Sequence, residues 1–290
     1  MDINTLSKEY RDIYEEFIMP VDTNIKLESV ILSDENKEKI SAFIKETQYR
    51  DKLLAYGLQP MNRILMYGAS GTGKTFLSKA LSNHLGYTML YVDIAKALSE
   101  ATVAMNISKI FKLANHLGHC LLMFDECDAI AWQRDTGGAD TGTIRRATNS
   151  IFQYLDQMNN TNIFVSATNM LHRLDPAFER RFNLKMEFRR PEIDIKDAIK
   201  HFIYPKFKII DDVDQTTVDI ISRRASQYAK LSYYEIQGLV ERAMKRAVMN
   251  DTNEVSTAEI YKDLAVAMRV KIKFQTADDP EEIFENKLHY

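Results

Sequence analysis

Gly68-Ala69-Ser70-Gly71-Thr72-Gly73-Lys74-Thr75 follows the apolar segment Arg63-Ile64-Leu65-Met66-Tyr67 and precedes a helical pattern that opens with Phe76. The pattern G-x-x-x-x-G-K-[ST] thus stands in the strand, loop and helix setting that a phosphate-binding loop needs. Its glycines let the backbone close around phosphate oxygens, and the N–H groups of the following helix end point at the anion. Lys74 is expected to reach the β- and γ-phosphates, and Thr75 to ligate Mg²⁺. Residues 68–75 with Phe76 form the expected nucleotide-binding set.

Around this loop the chain alternates. Strand-like runs at 63–67, 87–92, 119–124, 162–167 and 184–188 are separated mostly by helical patterns, with terminal glycines at Gly86 and Gly118. Such alternation predicts an α/β fold: a doubly wound parallel sheet of the P-loop NTPase type with helices on both faces. The runs at 119–124 and 162–167 are nearly continuous in apolar residues, the pattern of strands buried on both faces.

Upstream, Ile3, Leu6, Tyr10, Ile13, Tyr14, Phe17 and Ile18 recur at helical spacing until Pro20, which predicts an amphipathic helix and its stop. A second helix is expected over 34–55, capped by Gly57. After Pro191 the texture is helical only, over 194–204, 216–228, 232–250 and 256–268, and Ser256 with Glu259 makes a capping box. The expected organisation is an N-terminal extension (1–26), an α/β nucleotide-binding domain (27–191), a small α-helical lid subdomain (192–270) and an acidic tail (271–290).

Composition narrows the class. With 290 residues, 45% hydrophobic and 27% charged, the chain matches ordinary soluble globular proteins. A net charge of −3 supplies no basic field for nucleic acid or an anionic membrane, so the expected partners are neither. Cys120 and Cys127 lack ligand-spaced neighbours and read as reduced, buried thiols. No apolar stretch approaches the roughly 20 residues of a membrane span, and the first ten residues are too polar for a signal peptide. The expectation is a cytoplasmic protein.

About fifty residues beyond Thr75, Leu121-Leu122-Met123-Phe124 delivers Asp125 and Glu126 to a strand's C-terminal end, where open α/β sheets bind ligands. Asp125 is expected to hold the Mg²⁺ shell, and Glu126 to polarise water for in-line attack on the γ-phosphate. The next apolar strand ends in Thr168-Asn169, placing an amide beside that phosphate. Farther on, Arg180 and Arg181 close Leu174-Asp175-Pro176-Ala177-Phe178-Glu179-Arg180-Arg181-Phe182. Guanidinium groups suit a transition state whose charge is spread over three oxygens, and a neighbouring subunit can supply them.

With these motifs in order, the chain resembles an AAA ATPase of the AAA+ superfamily over 27–268. Walker A corresponds to 68–75, Walker B to 121–126, sensor 1 to Asn169 and the arginine fingers to Arg180 and Arg181. Its Gly-Leu-x-Pro lead into the loop and the stretch 145–182 are most similar to stand-alone bacterial or phage proteins with one ATPase module. The resemblance implies ATP hydrolysis with Mg²⁺ by a homo-oligomeric ring, usually a hexamer, with nucleotide between subunits and a helical lid.

Three positions depart from the family pattern. Ser99-Glu100-Ala101 occupies the place of the aromatic pore loop, Tyr234 falls at the sensor 2 arginine, and Asn183 stands where an acidic residue often follows Arg-Arg-Phe. Trp132 and Arg134, in a Gly-rich loop, are candidates to touch substrate or to pack on the sheet edge. Arg145 or Arg146 is a candidate to reach across a subunit boundary. Arg242, Lys245 and Arg246 read as solvated helix surface or a subunit contact. The leading expectation is a remodeller or unfoldase of a protein partner. A nucleotide-gated scaffold for a partner enzyme is the alternative, and a helicase-loader type has less support.

Overall fold

The computed structural model describes residues 5–99, 102–127, 141–191, 195–225 and 229–275, without side chains at 141–147 and 269–275. It divides into two units, Met1–Ala69 with Gly73–Phe188, and Ser70–Thr72 with Arg189–Tyr290.

In the first unit α1 (Lys8–Phe17) runs into β1 (Ile18–Met19), followed by α2 (Asp34–Gln48) and α3 (Arg50–Ala55). Strands and helices then alternate as β2 (Arg63–Gly68), α4 (Lys74–Leu85), β3 (Thr88–Val92), α5 (Ile94–Ala97) and α6 (Val103–Leu117). The series continues through β4 (Cys120–Phe124), α7 (Thr141–Asp156), β5 (Ile163–Thr168), α8 (Pro176–Glu179) and β6 (Leu184–Phe188). The sheet order is β1-β3-β4-β5-β2-β6, parallel throughout except for β1. This is the α/β architecture of P-loop NTPases, with β4, β5 and β2 at the centre.

Period-two alternation assigns the side chains of these strands to two cores. Leu65, Leu90, Leu122, Phe124 and Phe164 face α1, α6 and α7 through Phe17, Ile110, Phe111 and Ile151. Ile64, Met66, Leu121, Met123, Ile163 and Val165 face α2 and α4 through Phe43, Leu77 and Leu81. All of β4 and β5 is buried. That follows from parallel strands covered by helices on both faces.

The sequence expectation errs at the N-terminal side. Ile18 pairs with Val92 and Met19 with Tyr91, antiparallel, so the helix ends at Phe17 and a short strand covers the otherwise unpaired edge of β3. Burial of Ile13 and Phe17 anchors α1, at about 1.5–3 kcal/mol per side chain. Tyr10 stacks on His116 of α6 at 3.9 Å between ring centroids, and Lys109 pairs with Glu16 at 3.6 Å. The single helix expected over 34–55 is two helices, because Tyr49 takes φ −96°, ψ 13° between them.

One glycine fixes how β2 leaves the sheet. Gly68 has φ +137°, and a Cβ there would lie 2.0 Å from the carbonyl oxygen of Phe188 in β6. Gly68→Ala is expected to cost about 3 kcal/mol or more through overpacking and backbone strain. Urea unfolding of the variant checks this, and a midpoint equal to wild type would contradict the close approach.

The second unit holds α9 (Ile195–Phe202), β7 (Lys208–Ile210), α10 (Gln215–Arg224), α11 (Tyr233–Met249), β8 (Glu254–Ser256) and α12 (Thr257–Gln275). Its texture is not helix alone, since β7 and β8 pair in parallel. Three-residue strands carry too little periodicity to announce themselves. At α11, Ser232 and Glu235 form a full capping box. At α12, Ser256 Oγ accepts from Glu259 N at 3.2 Å, but Asp212 takes the rest of the capping, accepting from Ala258 N at 2.8 Å and Ser256 Oγ at 2.7 Å. Arg246 is half-buried rather than freely solvated. Its Nη2 lies 2.8 Å from Asp263 Oδ2, tying α11 to α12.

Candidate functional site

Three strand ends and one helix start converge on a small polar cluster. Tyr67 of β2 is in register with Thr168 of β5, and Phe124 of β4 with Ser166. The residues just past these strands, Gly68 onward, Asn169 and Asp125, therefore emerge at one edge of the sheet. There α4 begins, with Gly73 as its N-cap at φ +103° and no side chain capping its first turn. The orphan N–H groups and positive dipole end of a twelve-residue helix are thus left for an anion. A Cβ at Gly73 would meet nothing within 4 Å, so the space beside the loop is open.

Lys74 is buried at 6% exposure. Its Nζ donates to Gly68 O and Ala69 O, both at 2.8 Å, and to Asn169 Oδ1 at 2.9 Å. These three acceptors are neutral. An ammonium held there at the start of α4 is placed to meet a polyanionic ligand.

Thr75 Oγ1 donates to Asp125 Oδ2, which also accepts from Tyr91 Oη at 3.2 Å. Asp125 Oδ1 accepts from Glu126 N at 3.0 Å. A hydroxyl that spends its proton on a carboxylate keeps its lone pairs free, and a hard divalent cation prefers such oxygen donors. The set fits Mg²⁺, which Thr75 and Asp125 would hold. The Tyr91 hydroxyl pKa is pushed up to about 12, first by burial and then by the Asp125 and Glu126 carboxylates.

Glu126 has φ +52°, a left-handed conformation that costs a non-glycine residue about 1–3 kcal/mol. The turn aims two consecutive carboxyl groups differently: Asp125 into the cluster with Thr75, Glu126 out to solvent. An exposed carboxylate there is available to a water molecule.

The two arginines part company. α8 is started by Asp175, whose Oδ1 accepts from Ala177 N at 2.7 Å, with Pro176 in the first turn. Phe178 and Phe182 pack against each other at 5.1 Å, and Phe182 reaches Phe164 of β5 at 5.8 Å between centroids. The strand that leads into Asn169 therefore also seats the arginine helix. Arg181 lies 3.7 Å over the Phe152 ring and donates to Ala177 O at 3.0 Å. Arg180 is exposed, with no side-chain hydrogen bond or ion pair to another described residue.

Lys74, Thr75, Asp125 and Asn169 are thus joined directly, and neither Arg180 nor Arg181 hydrogen-bonds to them. Phe76 lies on α4 at 36% exposure. Ser70, Gly71 and Thr72 fall in the second unit, where Gly71 O accepts from Tyr234 N at 3.2 Å. Tyr91 is the residue that sequence reasoning missed. Its only signal is a hydroxyl-bearing aromatic one position before the end of a strand. Asn183 acquires a role too, since its Oδ1 accepts from Asn62 N and Arg63 N at 3.3 and 3.0 Å, fixing the start of β2. Cys120 and Cys127 are buried and form no disulfide, and burial pushes the Cys120 thiol up to about 12. Glu100, Ala101, Trp132, Arg134 and the side chains of Arg145 and Arg146 lie outside the described residues.

The family model for the ATPase family associated with various cellular activities matches residues 64–190. An uncharacterised AAA family ATPase, y4kL, of Sinorhizobium fredii is 27% identical over 251 residues, covering 86% of this chain and 73% of that protein. A 26S proteasome regulatory subunit 6B homolog of Dictyostelium discoideum is 31% identical over 76% of this chain and 54% of its own length. The ATP-dependent zinc metalloprotease FtsH 1 of Alkaliphilus metalliredigens is 29% identical over 71% of this chain. The chain spans about half the length of the proteasome relative and 36% of the metalloprotease. The match covers every strand end that builds the cluster, and residues 64–190 are an ATPase domain of the AAA family.

Proposed function

We propose that this chain hydrolyses ATP with Mg²⁺ as a homo-oligomeric ring, most simply a hexamer, and uses the cycle to remodel or unfold a protein partner. The observation that carries the catalytic part is the joined set Lys74, Thr75, Asp125 and Asn169 at the open N-terminus of α4. In this reading Lys74 holds the β- and γ-phosphates, Asn169 orients the γ-phosphate, and Glu126 takes a proton from the attacking water. Mg²⁺, held through Thr75 and Asp125, neutralises charge on the phosphate oxygens. Residues 27–191 then act as the motor domain and 192–270 as its lid, with 1–26 and 271–290 as extensions.

The exposed Arg180 favours a pocket completed in trans, since a guanidinium with no side-chain partner among the described residues is available to a neighbour's nucleotide. ATP turnover at graded protein concentration tests this. Specific activity is expected to rise with concentration to a plateau. A flat profile from monomer upward would count against shared pockets.

Among the described residues no helix is long and apolar enough to cross a membrane. Ser99 and its neighbours, in place of an aromatic pore loop, keep the gated-scaffold reading alive. A Glu126→Gln trap, isolated from cells with ATP, separates the two. A partner released folded and chemically unchanged fits gating, and one released unfolded fits remodelling.

A further inference from the structure

We infer that Tyr91 is a positioning residue for the magnesium site, holding the Asp125 carboxylate in the orientation that keeps Thr75 available to the ion. The inference rests on the proposed nucleotide site and adds a part to it that no motif contains.

Tyr91 sits opposite Met123 in the parallel β3–β4 ladder, and Asp125 lies two residues beyond Met123. Side-chain alternation puts Tyr91 on the same face as Met89, Leu121 and Met123, the face covered by α4, and its ring packs into that core. From there the phenol reaches across to the neighbouring strand's end, with its oxygen 3.2 Å from Asp125 Oδ2. The same Oδ2 accepts from Thr75 Oγ1, and Oδ1 accepts from Glu126 N at 3.0 Å. Three donors from three segments therefore fix one carboxylate. The Tyr91 backbone is itself pinned on both sides, by Met123 in β4 and by Met19 in β1.

A carboxylate holding Thr75 by a single hydrogen bond can rotate and carry the hydroxyl with it. Tyr91 removes that freedom by occupying the second lone pair of Oδ2. Removing a partner that orients a metal-binding group typically weakens metal binding about tenfold or more, with little effect on the rest of the ligand.

The test is calorimetric titration of wild type and Tyr91→Phe with a non-hydrolysable ATP analogue, once with Mg²⁺ and once with EDTA. Phenylalanine keeps the ring and its packing and deletes only the hydroxyl. The expected result is an EDTA affinity within about twofold of wild type, while the affinity gained from Mg²⁺ falls about tenfold. The Mg²⁺ concentration giving half-maximal ATP turnover should rise in parallel. An unchanged magnesium gain overturns the role of Tyr91, as does an equal loss with and without Mg²⁺, which would mark simple packing damage. Wild-type protein that takes up no nucleotide in either buffer overturns the site reading itself, and Tyr91's role with it.

Discussion

Lys74→Ala is expected to abolish measurable ATP turnover and to weaken ATP binding by about a hundredfold or more, the scale on which a preorganised donor to phosphate oxygens acts. The reason lies in where the ammonium is held. It is buried, and Gly68 O, Ala69 O and Asn169 Oδ1 fix its three protons in space before any ligand arrives. Little reorganisation is needed when a triphosphate displaces those neutral acceptors, and the charge acts in a site shielded from water. Alanine removes the charge, leaves two loop carbonyls without this donor, and detaches Asn169 from the loop. The fold should survive, because the neighbouring core of Leu77, Leu81 and Met66 is untouched. Calorimetry and a coupled ATPase assay, with circular dichroism as the folding control, check the outcome. Wild-type affinity in a folded Lys74→Ala protein would remove the basis for a nucleotide site at this loop.

Arg180→Ala and Arg181→Ala are expected to fail in different ways, although they are neighbours in a pair that the sequence presents as equivalent. Arg180 is exposed, with no side-chain partner among the described residues, so its loss should leave stability within about 0.5 kcal/mol of wild type, as for surface changes generally. If it serves a neighbour's nucleotide, turnover should fall about a thousandfold or more while ATP affinity changes little. Arg181 lies on Phe152 and bonds to Ala177 O, so its removal should lower stability by about 1–2 kcal/mol. Because Phe152, Phe178, Phe182 and Phe164 form one continuous stack into β5, that loss should also loosen the seat of α8. Mixing the two inactive chains Arg180→Ala and Lys74→Ala gives the sharper measurement. Each supplies what the other lacks, and partial recovery of turnover on mixing is expected only when a pocket draws on two chains. No recovery at any ratio, with mixed oligomers demonstrated, would place Arg180 outside the catalytic pocket.

How much of this the sequence disclosed depends on the range over which each feature is written. The phosphate loop, the acidic strand end and Asn169 are local patterns, so each is legible from a few consecutive residues plus the strand before it. The five strands of the parallel sheet were legible for a similar reason: short apolar runs, nearly unbroken in β4 and β5, between helical periods. What stayed hidden depends on register. The contact of Tyr91 with Asp125 requires that β3 lie beside β4 with Tyr91 opposite Met123, a pairing across 32 residues that no local period encodes. The different fates of Arg180 and Arg181 depend on Phe152, which arrives from another helix. Asn183 is only a departure from the family pattern in the sequence, and becomes a clamp on β2 once β2 and β6 are adjacent. β1, β7 and β8 are two or three residues long, too short to display alternation.

The two-residue strand β1 has a consequence for handling the protein. By pairing with Val92 and Tyr91 it covers the outermost hydrogen-bonding ladder of the parallel sheet. An uncovered ladder of that kind is a template for self-association. Trimming the segment ahead of Pro20, whether by protease or by cloning, would bare β3 to solvent and invite sheet-to-sheet aggregates that have nothing to do with ring assembly. Solubility and the integrity of this short leading stretch are therefore coupled, and a shortened version that precipitates would say nothing about the motor.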